Sequence, residues 1–283
     1  MEFILLFKAF ILGIVEGATE FLPISSTGHL IIVGDLLNFN DSRGKVFEIV
    51  IQLAAILAVC WEYKSKLVTT MAGLVHHPFN TSSPSHKLTF NLLLAFLPAA
   101  FIGLAFHDAI KLYLFSTLTV AIALIVGGFA ILWIEHIEQK NSLKSVDKKA
   151  LNIDDINLKQ ALQIGIAQSI ALIPGISRSG ATILGGMVFG LSRQTATEFS
   201  FFLAIPIMFA ATAYDLLKNW NLLSSSDFAM FAVGFITAFI AALIAIKMLL
   251  RFVATHNFKV FAYYRIIFGG LLLIYVTQFA TVT

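Results

Sequence analysis

The chain has 283 residues, of which 58% are hydrophobic and 12% are charged, and its formal net charge is +3. A soluble domain carries about 25% charged residues, so this composition excludes an ordinary soluble protein and predicts an integral membrane protein. The modest positive charge gives no reason to expect nucleic acid as a partner. It is typical of basic loops on the cytoplasmic side of a membrane.

Six apolar segments approach or reach the length of about 20 residues with which a helix crosses a bilayer. Their apolar runs are continuous rather than alternating, which favours helices over the strands of a barrel. Cys60 is the only cysteine, which excludes an internal disulfide and a metal site made of thiolates. The sequence therefore predicts one all-α integral membrane domain over 1–283, with transmembrane helices at 47–62, 90–106, 117–135, 199–217, 228–250 and 260–280.

Two further apolar segments are too short to span and are interrupted by polar residues. Residues 3–15 run into Glu16, and because they follow Glu2 rather than a basic region, we interpret them as mature structure and not as a signal peptide. Residues 161–173 end at "PGISRSG", and each break is followed by another short apolar run, at 30–37 and 181–191. A short helix, a polar loop and a second short helix predict a re-entrant hairpin, over 3–37 and again over 160–191. A single kinked span is the alternative in each case.

The two interrupted segments are copies of each other at a separation of 152 residues. This shift places "ISSTGHLIIVG" on "ISRSGATILGG", and it aligns Gly13 with Gly165, Ser25 with Ser177, Thr27 with Ser179, Gly28 with Gly180, and Phe47 with Phe199. We therefore predict a repeat of about 1–115 and a second of about 155–280, joined by a cytoplasmic linker loop over 136–159. Paired interrupted helices at matching positions point to the binding site.

The distribution of lysine and arginine predicts how the chain is oriented. Loops 63–89 and 136–160, the latter with Lys144 and Lys148, and the turn 247–259 hold most of the basic residues, so we expect them to face the cytoplasm. Both termini then lie outside, the first hairpin enters from outside and the second enters from the cytoplasm. The repeats are thus inverted, and their polar tips should meet inside the membrane.

The first tip, "VEGATEFLPISSTGHL", carries two acidic residues within an apolar stretch. Glu16 and Glu20 are four residues apart and share a helix face. Their mutual repulsion is relieved by a cation or a bound proton, and ionisable groups inside a membrane are candidates for a functional site. The alternative, an amphipathic surface helix with hydrated glutamates, is disfavoured by the apolar flanks.

Hydroxyl groups and a histidine follow in the same tip. Ser25, Ser26 and Thr27 are candidate N-caps for a helix that begins near Gly28. The free N–H groups and the dipole at such a helix start favour a bound anion. In that first turn, we expect His29 to contact the Ser26 hydroxyl or to donate to a phosphate, while a purely structural histidine is the alternative.

The second tip, "PGISRSGAT", repeats this pattern and adds a cation. Arg178 is suited to hold a phosphate with two parallel hydrogen bonds, and Ser177, Ser179 and Thr182 add hydroxyl donors. The alternative for Arg178 is a loop residue that extends to water. Two convergent tips would suit an oxyanion with several negative charges. Together with the acids they supply what phosphoryl transfer needs: charge neutralisation, a positioned nucleophile and a proton acceptor.

The segments "EGATEFLPISSTGH" and "PGISRSGAT" resemble the two signature motifs of the undecaprenyl-diphosphatase family, also called bacitracin-resistance phosphatases. The resemblance extends over nearly the whole chain, including "FEIVIQLAAILAV" and "FAVGFITAFIAALIAIK", with no departure in either motif. It implies hydrolysis of a C55 isoprenoid diphosphate to the monophosphate, which recycles the carrier for cell-wall synthesis. It also implies a divalent cation, Mg or Ca, a bacterial inner-membrane location and a site that opens to the periplasmic side.

The resemblance also implies roles for individual residues. Glu16 and Glu20 match the acidic pair of the family and would be ligands of the cation. Ser26 and His29 match its catalytic serine and histidine. Arg178 matches its phosphate-binding arginine. Ser177 and Thr182 match its supporting polar groups. From the residues themselves, the further candidates for substrate binding are Ser25, Thr27, Ser179 and Gln52.

Several alternatives remain open at the level of sequence. The nucleophile is Ser26, His29 or an activated water. Glu48 and Gln52, on one face of the next span, complete the site or form a packed polar pair. A transporter or flippase for an anionic lipid is the competing function, because many transporters are built from inverted repeats with broken helices. A polyprenyl diphosphate and membrane lipids are the expected partners, and a homodimer is also open.

Overall fold

In the computed structural model, residues 2–39, 42–76, 78, 80, 83–142, 149–219, 221 and 227–279 are described. These residues form twelve α-helices, and among them the only extended pairing is a single bridge between Ala150 and Leu191. The helices are α1 Glu2–Thr19, α2 Ser26–Leu36, α3 Ser42–Glu62, α4 Lys64–His76, α5 Pro84–Ala105, α6 His107–Leu114, α7 Thr117–Ser142, α8 Leu158–Ser169, α9 Arg178–Val188, α10 Arg193–Lys218, α11 Phe228–Thr255 and α12 Lys259–Phe279.

The predicted all-α membrane fold with six spans is confirmed. Within the described residues, six helices are long and apolar enough to cross a membrane, namely α3, α5, α7, α10, α11 and α12. Helix α7 continues to Ser142, so the predicted linker over 136–159 begins as helix. Residues 143–148 of that linker, with Lys144 and Lys148, lie outside the described residues.

Each interrupted segment forms a helix, a loop and a second helix. The first consists of α1, a loop over 20–25 and α2, and the second consists of α8, a 3₁₀ turn over Ile170–Leu172, a loop and α9. Helix α2 begins at Ser26, slightly earlier than the sequence indicates, because Ser25 is the residue that caps it. This arrangement is compatible with re-entrant hairpins.

The first helix of hairpin one packs closely along a helix of the second repeat. A Cβ atom on Gly13 would lie 2.7 Å from the carbonyl oxygen of Gly234, and one on Gly17 would lie 2.3 Å from that of Ala238. Small residues in membrane helices permit this approach of two backbones. The residue numbers rise together along both helices, so α1 and α11 run parallel.

The second hairpin packs on the first repeat in the same way. A Cβ atom on Gly165 of α8 would lie 2.4 Å from the carbonyl oxygen of Ala95 in α5, and Gly103 lies against Leu172 beyond the end of α8. These helices also run parallel. Each repeat therefore packs its first helix against a long helix of the other repeat, which is compatible with the predicted inverted repeat.

An aromatic contact holds the first tip against α10. The ring of Phe21 meets that of Phe201 edge to face, with 5.4 Å between their centroids, and both side chains are fully buried. Such a pair stabilises by about 1 kcal/mol beyond the area that it buries. Glu20, which directly precedes Phe21, is thereby placed at a fixed position inside the bundle.

Candidate active site

The two tips lie in direct contact, as the repeat predicts. The hydroxyls of Ser177 and Ser179 lie 3.3 and 2.8 Å from the carbonyl oxygen of Leu22, to which they donate. Nη2 of Arg178 lies 2.8 Å from Oε1 of Glu20. Polar groups from both halves of the sequence thus form one buried cluster.

The same cap begins the second helix of each hairpin. The Ser25 hydroxyl oxygen accepts from the N–H of Gly28 at 3.4 Å, and that of Ser177 accepts from Gly180 at 3.1 Å. These residues are related by the shift of 152, so the repeat extends to local hydrogen bonding. Ser25 has a φ of 71°. A residue other than glycine in this region costs about 1–3 kcal/mol, and such strain is concentrated at functional sites.

Glu20 is the centre of the cluster. Its Oε2 accepts a hydrogen bond from the Ser26 hydroxyl, while its Oε1 is ion-paired with Arg178. Glu20 and Ser26 are both buried. A carboxylate that already accepts a hydrogen bond from a hydroxyl is placed to act as the general base for that hydroxyl.

Arg178 is fixed by several groups besides Glu20. Its Nη1 donates to the carbonyl oxygen of Ser200 at 3.2 Å, its Nη2 lies 3.2 Å from Sδ of Met208, and its guanidinium lies over the ring of Phe21. An arginine has five N–H donors. In the described contacts, the Nε–H and one Nη1–H are not used, and they are available for an anion.

His29 does not contact Ser26, in contrast to the expectation from sequence. Its Nδ1 lies 2.7 Å from the carbonyl oxygen of Ser25, and its Nε2 lies 2.6 Å from the hydroxyl of Tyr264. Because a carbonyl only accepts, Nδ1 carries a proton. The ring also stacks on Phe268, with 4.5 Å between centroids. Both ring nitrogens are thus occupied by groups other than Ser26.

Glu16 is buried, and its Oε1 has no hydrogen-bond partner. It lies close enough to Glu20 and Glu48 for their charges to repel. Glu48 is exposed and Gln52 is half-buried on α3. Among the described residues, no group of three or more His, Cys, Asp or Glu is arranged to hold a metal ion by itself.

The remaining predicted hydroxyls differ in their surroundings. The Thr182 hydroxyl is buried and lies 2.6 Å from that of Ser200, which joins α9 to α10. Ser177 and Ser179 are occupied at the contact between the tips. Thr27 is exposed at the start of α2.

Three further polar residues of the helices, Tyr264, Arg265 and Gln168, lie outside the motifs that the sequence predicts for the site. Tyr264 and Arg265 both lie in α12, where Arg265 is the charged residue in the interior of a predicted span, a signal that marks a functional candidate. Gln168 is buried, and neither atom of its amide has a partner. The shift of 152 places it on Glu16, so the repeat itself contained the signal.

The fold and these clusters define a multi-pass helical membrane protein with a buried polar site between two paired hairpins. Residues 9–271 match the family described as bacitracin resistance protein BacA. The chain is 63% identical over 275 residues to the undecaprenyl-diphosphatase of Methylobacillus flagellatus, which covers 97% of this chain and 99% of that protein. It is 57% identical to the undecaprenyl-diphosphatase of Nitrosospira multiformis, over 97% of this chain and 96% of that protein. The chain belongs to the BacA family.

Proposed function

We infer that this protein hydrolyses undecaprenyl diphosphate to undecaprenyl phosphate and inorganic phosphate. This activity recycles the lipid carrier of cell-wall polymers and thereby confers resistance to bacitracin. The observation that carries the inference is the buried chain of contacts from Ser26 to Glu20 to Arg178, which crosses from one tip to the other. The names of the relatives at 63% and 57% identity support the same substrate.

The geometry favours Ser26 as the nucleophile and Glu20 as its base. Oγ of Ser26 forms a bond to the terminal phosphorus while the bond from that phosphorus to the bridging oxygen breaks. The bridging oxygen leaves with undecaprenyl phosphate, and the hydroxyl proton passes to Glu20. Water then replaces Oγ on phosphorus, Glu20 returns the proton to Oγ, and phosphate is released.

Arg178 supplies positive charge to the same phosphoryl group. Its two unused N–H donors and the starts of α2 and α9 bind the phosphate oxygens, since helix N-termini and a fixed guanidinium both favour anions. Ser25 and Ser177 hold those helix starts in place through their caps. Thr27 contacts the substrate from the exposed side. Ser179 and Thr182 act by holding α9 against the first tip and α10.

A divalent cation, Mg or Ca, fits the acidic side of the site. The unpartnered Oε1 of buried Glu16 is the kind of oxygen that such a cation takes as a ligand. Mg²⁺ commonly binds through one or two carboxylates together with substrate phosphates and water, so Glu16 and the diphosphate would together supply its ligands. When bound, the cation supplies charge to the diphosphate. Glu20 is the second candidate ligand of the cation, although its two oxygens are also bonded to Arg178 and Ser26.

His29 is not the base for Ser26 in this mechanism and instead lies beside the phosphate-binding site. Its imidazole is held by Ser25 and Tyr264, and it faces the start of α2, where the leaving phosphate would lie. Gln52 and Glu48 approach from α3 and complete the site on its open side.

The substrate tail needs an apolar path to the tips. An apolar groove of about 570 Å³ lies between α1 and α11, and one end of it reaches Leu22 of the first tip. We propose that this groove holds the isoprenoid chain within the bilayer while its diphosphate reaches Glu20. The enzyme lies in the bacterial inner membrane, and its site opens to the periplasm.

Labelling of single cysteines tests this orientation. In a Cys60→Ala background, we expect a membrane-impermeant maleimide on whole cells to label Lys218→Cys but not Ser65→Cys, since both positions are exposed and lie on opposite sides in the proposed topology. Labelling of both from outside would contradict the inverted arrangement.

The activity itself is tested by phosphate release from undecaprenyl diphosphate by the purified protein in detergent, with and without EDTA. We expect release that EDTA suppresses and that Glu20→Ala and Arg178→Ala abolish.

The exchange of packing partners between the repeats also suits a transporter of anionic lipids. Stabilisation by the lipid without phosphate release would favour that second function.

A further inference from the structure

Arg265 of α12 connects both tips to α7. Its guanidinium donates four hydrogen bonds, all to backbone carbonyl oxygens. Nη1 lies 3.1 Å from the oxygen of Pro23 in the first tip, and Nη2 lies 3.1 Å from that of Gly175 in the second. The other two bonds reach Ala123 at 3.0 Å and Leu124 at 3.3 Å.

This arginine is almost completely buried, and no described carboxylate is paired with it. An unpaired charge inside a membrane protein is costly, so its retention requires a compensating role. The carbonyls of Pro23 and Gly175 belong to irregular backbone, which has to find hydrogen-bond donors away from water. Arg265 supplies donors to both tips at once.

The surroundings leave room for the guanidinium only because a glycine faces it. A Cβ atom on Gly127 would lie 2.1 Å from Nη2 and 2.7 Å from Cζ of Arg265. Gly175 has a φ of 93°, and a Cβ there would lie 2.8 Å from Val120. Glycines on two elements thus permit one arginine to reach both tips.

We propose that Arg265 is a positioning residue, which holds the two tips together. It thereby maintains the ion pair between Arg178 and Glu20 and the hydrogen bond from Ser26 to Glu20. The proposal rests on the proposed phosphatase function. Arg265 does not contact the substrate in this role, and its loss should lower kcat more than it changes KM. Misplacement of reacting groups by about 1 Å costs on the order of 100-fold in rate.

A disulfide between the tips distinguishes this positioning role from a role in packing α12 against α7, because it can hold the tips together without Arg265. A Cβ atom on Gly180 would lie 3.6 Å from Cβ of Pro23, which is within the range of about 3.5–4.5 Å for disulfides. Its tightest neighbour is Cβ of Ser177, at 3.2 Å. Pro23→Cys with Gly180→Cys, in a Cys60→Ala background, therefore yields a reversible substitute for the bridge that Arg265 makes.

The experiment compares Arg265 with Arg265→Gln in this cysteine background, oxidised and reduced. We expect Arg265→Gln to lower kcat by about 10- to 100-fold when reduced and oxidation to restore most of it. Gly127→Ala should reproduce both effects by displacing the guanidinium, whereas Gly270→Ala, whose Cβ would meet nothing within 4 Å, should change neither. Failure of oxidation to restore kcat would assign Arg265 to packing, and loss of activity in the oxidised parent would show that the tips must separate. Either result overturns the proposal.

The rate of disulfide formation, followed by gel shift, needs no activity. We expect it to fall at least fivefold in Arg265→Gln, and an unchanged rate would also overturn the proposal. If the parent releases no phosphate but this difference in rate is present, the proposed function fails while the positioning role stands.

Discussion

Nη2 of Arg178 lies 2.8 Å from Oε1 of Glu20, and this contact joins residues that are 158 positions apart in the chain. Both side chains are largely withdrawn from solvent. The other oxygen of Glu20 accepts a hydrogen bond from the Ser26 hydroxyl. The second repeat therefore orients the carboxylate that the first repeat uses, and neither tip contains the complete site.

Glu20→Gln is expected to lower kcat by about 10²- to 10⁴-fold, because the amide retains the size of the side chain but cannot accept the proton of Ser26. Phosphate release from undecaprenyl diphosphate measures the effect. Glu62→Gln is the matched control, since Glu62 is partly exposed in α3 and its only described ion pair, to Lys247, is long at 3.7 Å. Equal activity of the two variants would remove Glu20 from the reaction.

Ser26 should carry the phosphoryl group for part of each cycle. We expect Ser26→Ala to lose activity, and we expect a short incubation with substrate labelled in its terminal phosphate to leave acid-stable label on the wild-type protein. Thr69→Ala on exposed α4 is the control for loss of a hydroxyl. Substantial turnover by Ser26→Ala would exclude Ser26 and leave His29 or an activated water as the nucleophile.

The six spans and the two hairpins follow from the sequence because long apolar runs and Gly/Pro/Ser breaks are local features. The contact between Glu20 and Arg178 can also be predicted, since the 152-residue repeat and the basic loops together predict inverted halves whose tips meet. The caps at Ser25 and Ser177 follow from the same repeat. These parts are governed by short-range chemistry and by symmetry.

Other contacts depend on packing that no short motif reports. Tyr264 and His29 are 235 positions apart, and nothing in the sequence around either residue indicates that the two side chains are in contact. The expected bond between His29 and Ser26 fails for the same reason, because Tyr264 and the carbonyl of Ser25 occupy the imidazole. Arg265 was visible as a charge within a span, but its partners are backbone carbonyls, which carry no sequence signal.

Gly17→Ala should destabilise the fold by about 1–3 kcal/mol, because the added methyl group would lie 2.3 Å from the carbonyl oxygen of Ala238 and force α1 away from α11. Thermal unfolding of the purified protein in detergent measures the change. Gly270→Ala, in open space on α12, is the control and should leave the midpoint unchanged. An unaltered midpoint in Gly17→Ala would mean that α1 and α11 are not closely packed.

Removal of divalent cations with EDTA should abolish phosphate release, and added Mg²⁺ or Ca²⁺ should restore it. Glu16→Gln should raise the cation concentration needed for half-maximal activity by about tenfold, since the loss of an interaction with a charged group costs about 1.4 kcal/mol or more. Titration of activity against free Mg²⁺ measures this. The same dependence in wild type and Glu16→Gln would place the cation elsewhere.

Tyr264→Phe tests whether the position of His29 matters to turnover. The substitution keeps the ring near His29 and Phe268 and removes only the hydroxyl that lies 2.6 Å from Nε2. A lost hydrogen bond of about 1 kcal/mol corresponds to about a fivefold fall in kcat, and phosphate release at saturating substrate measures it. Tyr263→Phe, on the exposed side of the same helix, is the control. If His29 is purely structural, both variants should retain the wild-type kcat, and Tyr264→Phe should differ only in its unfolding midpoint.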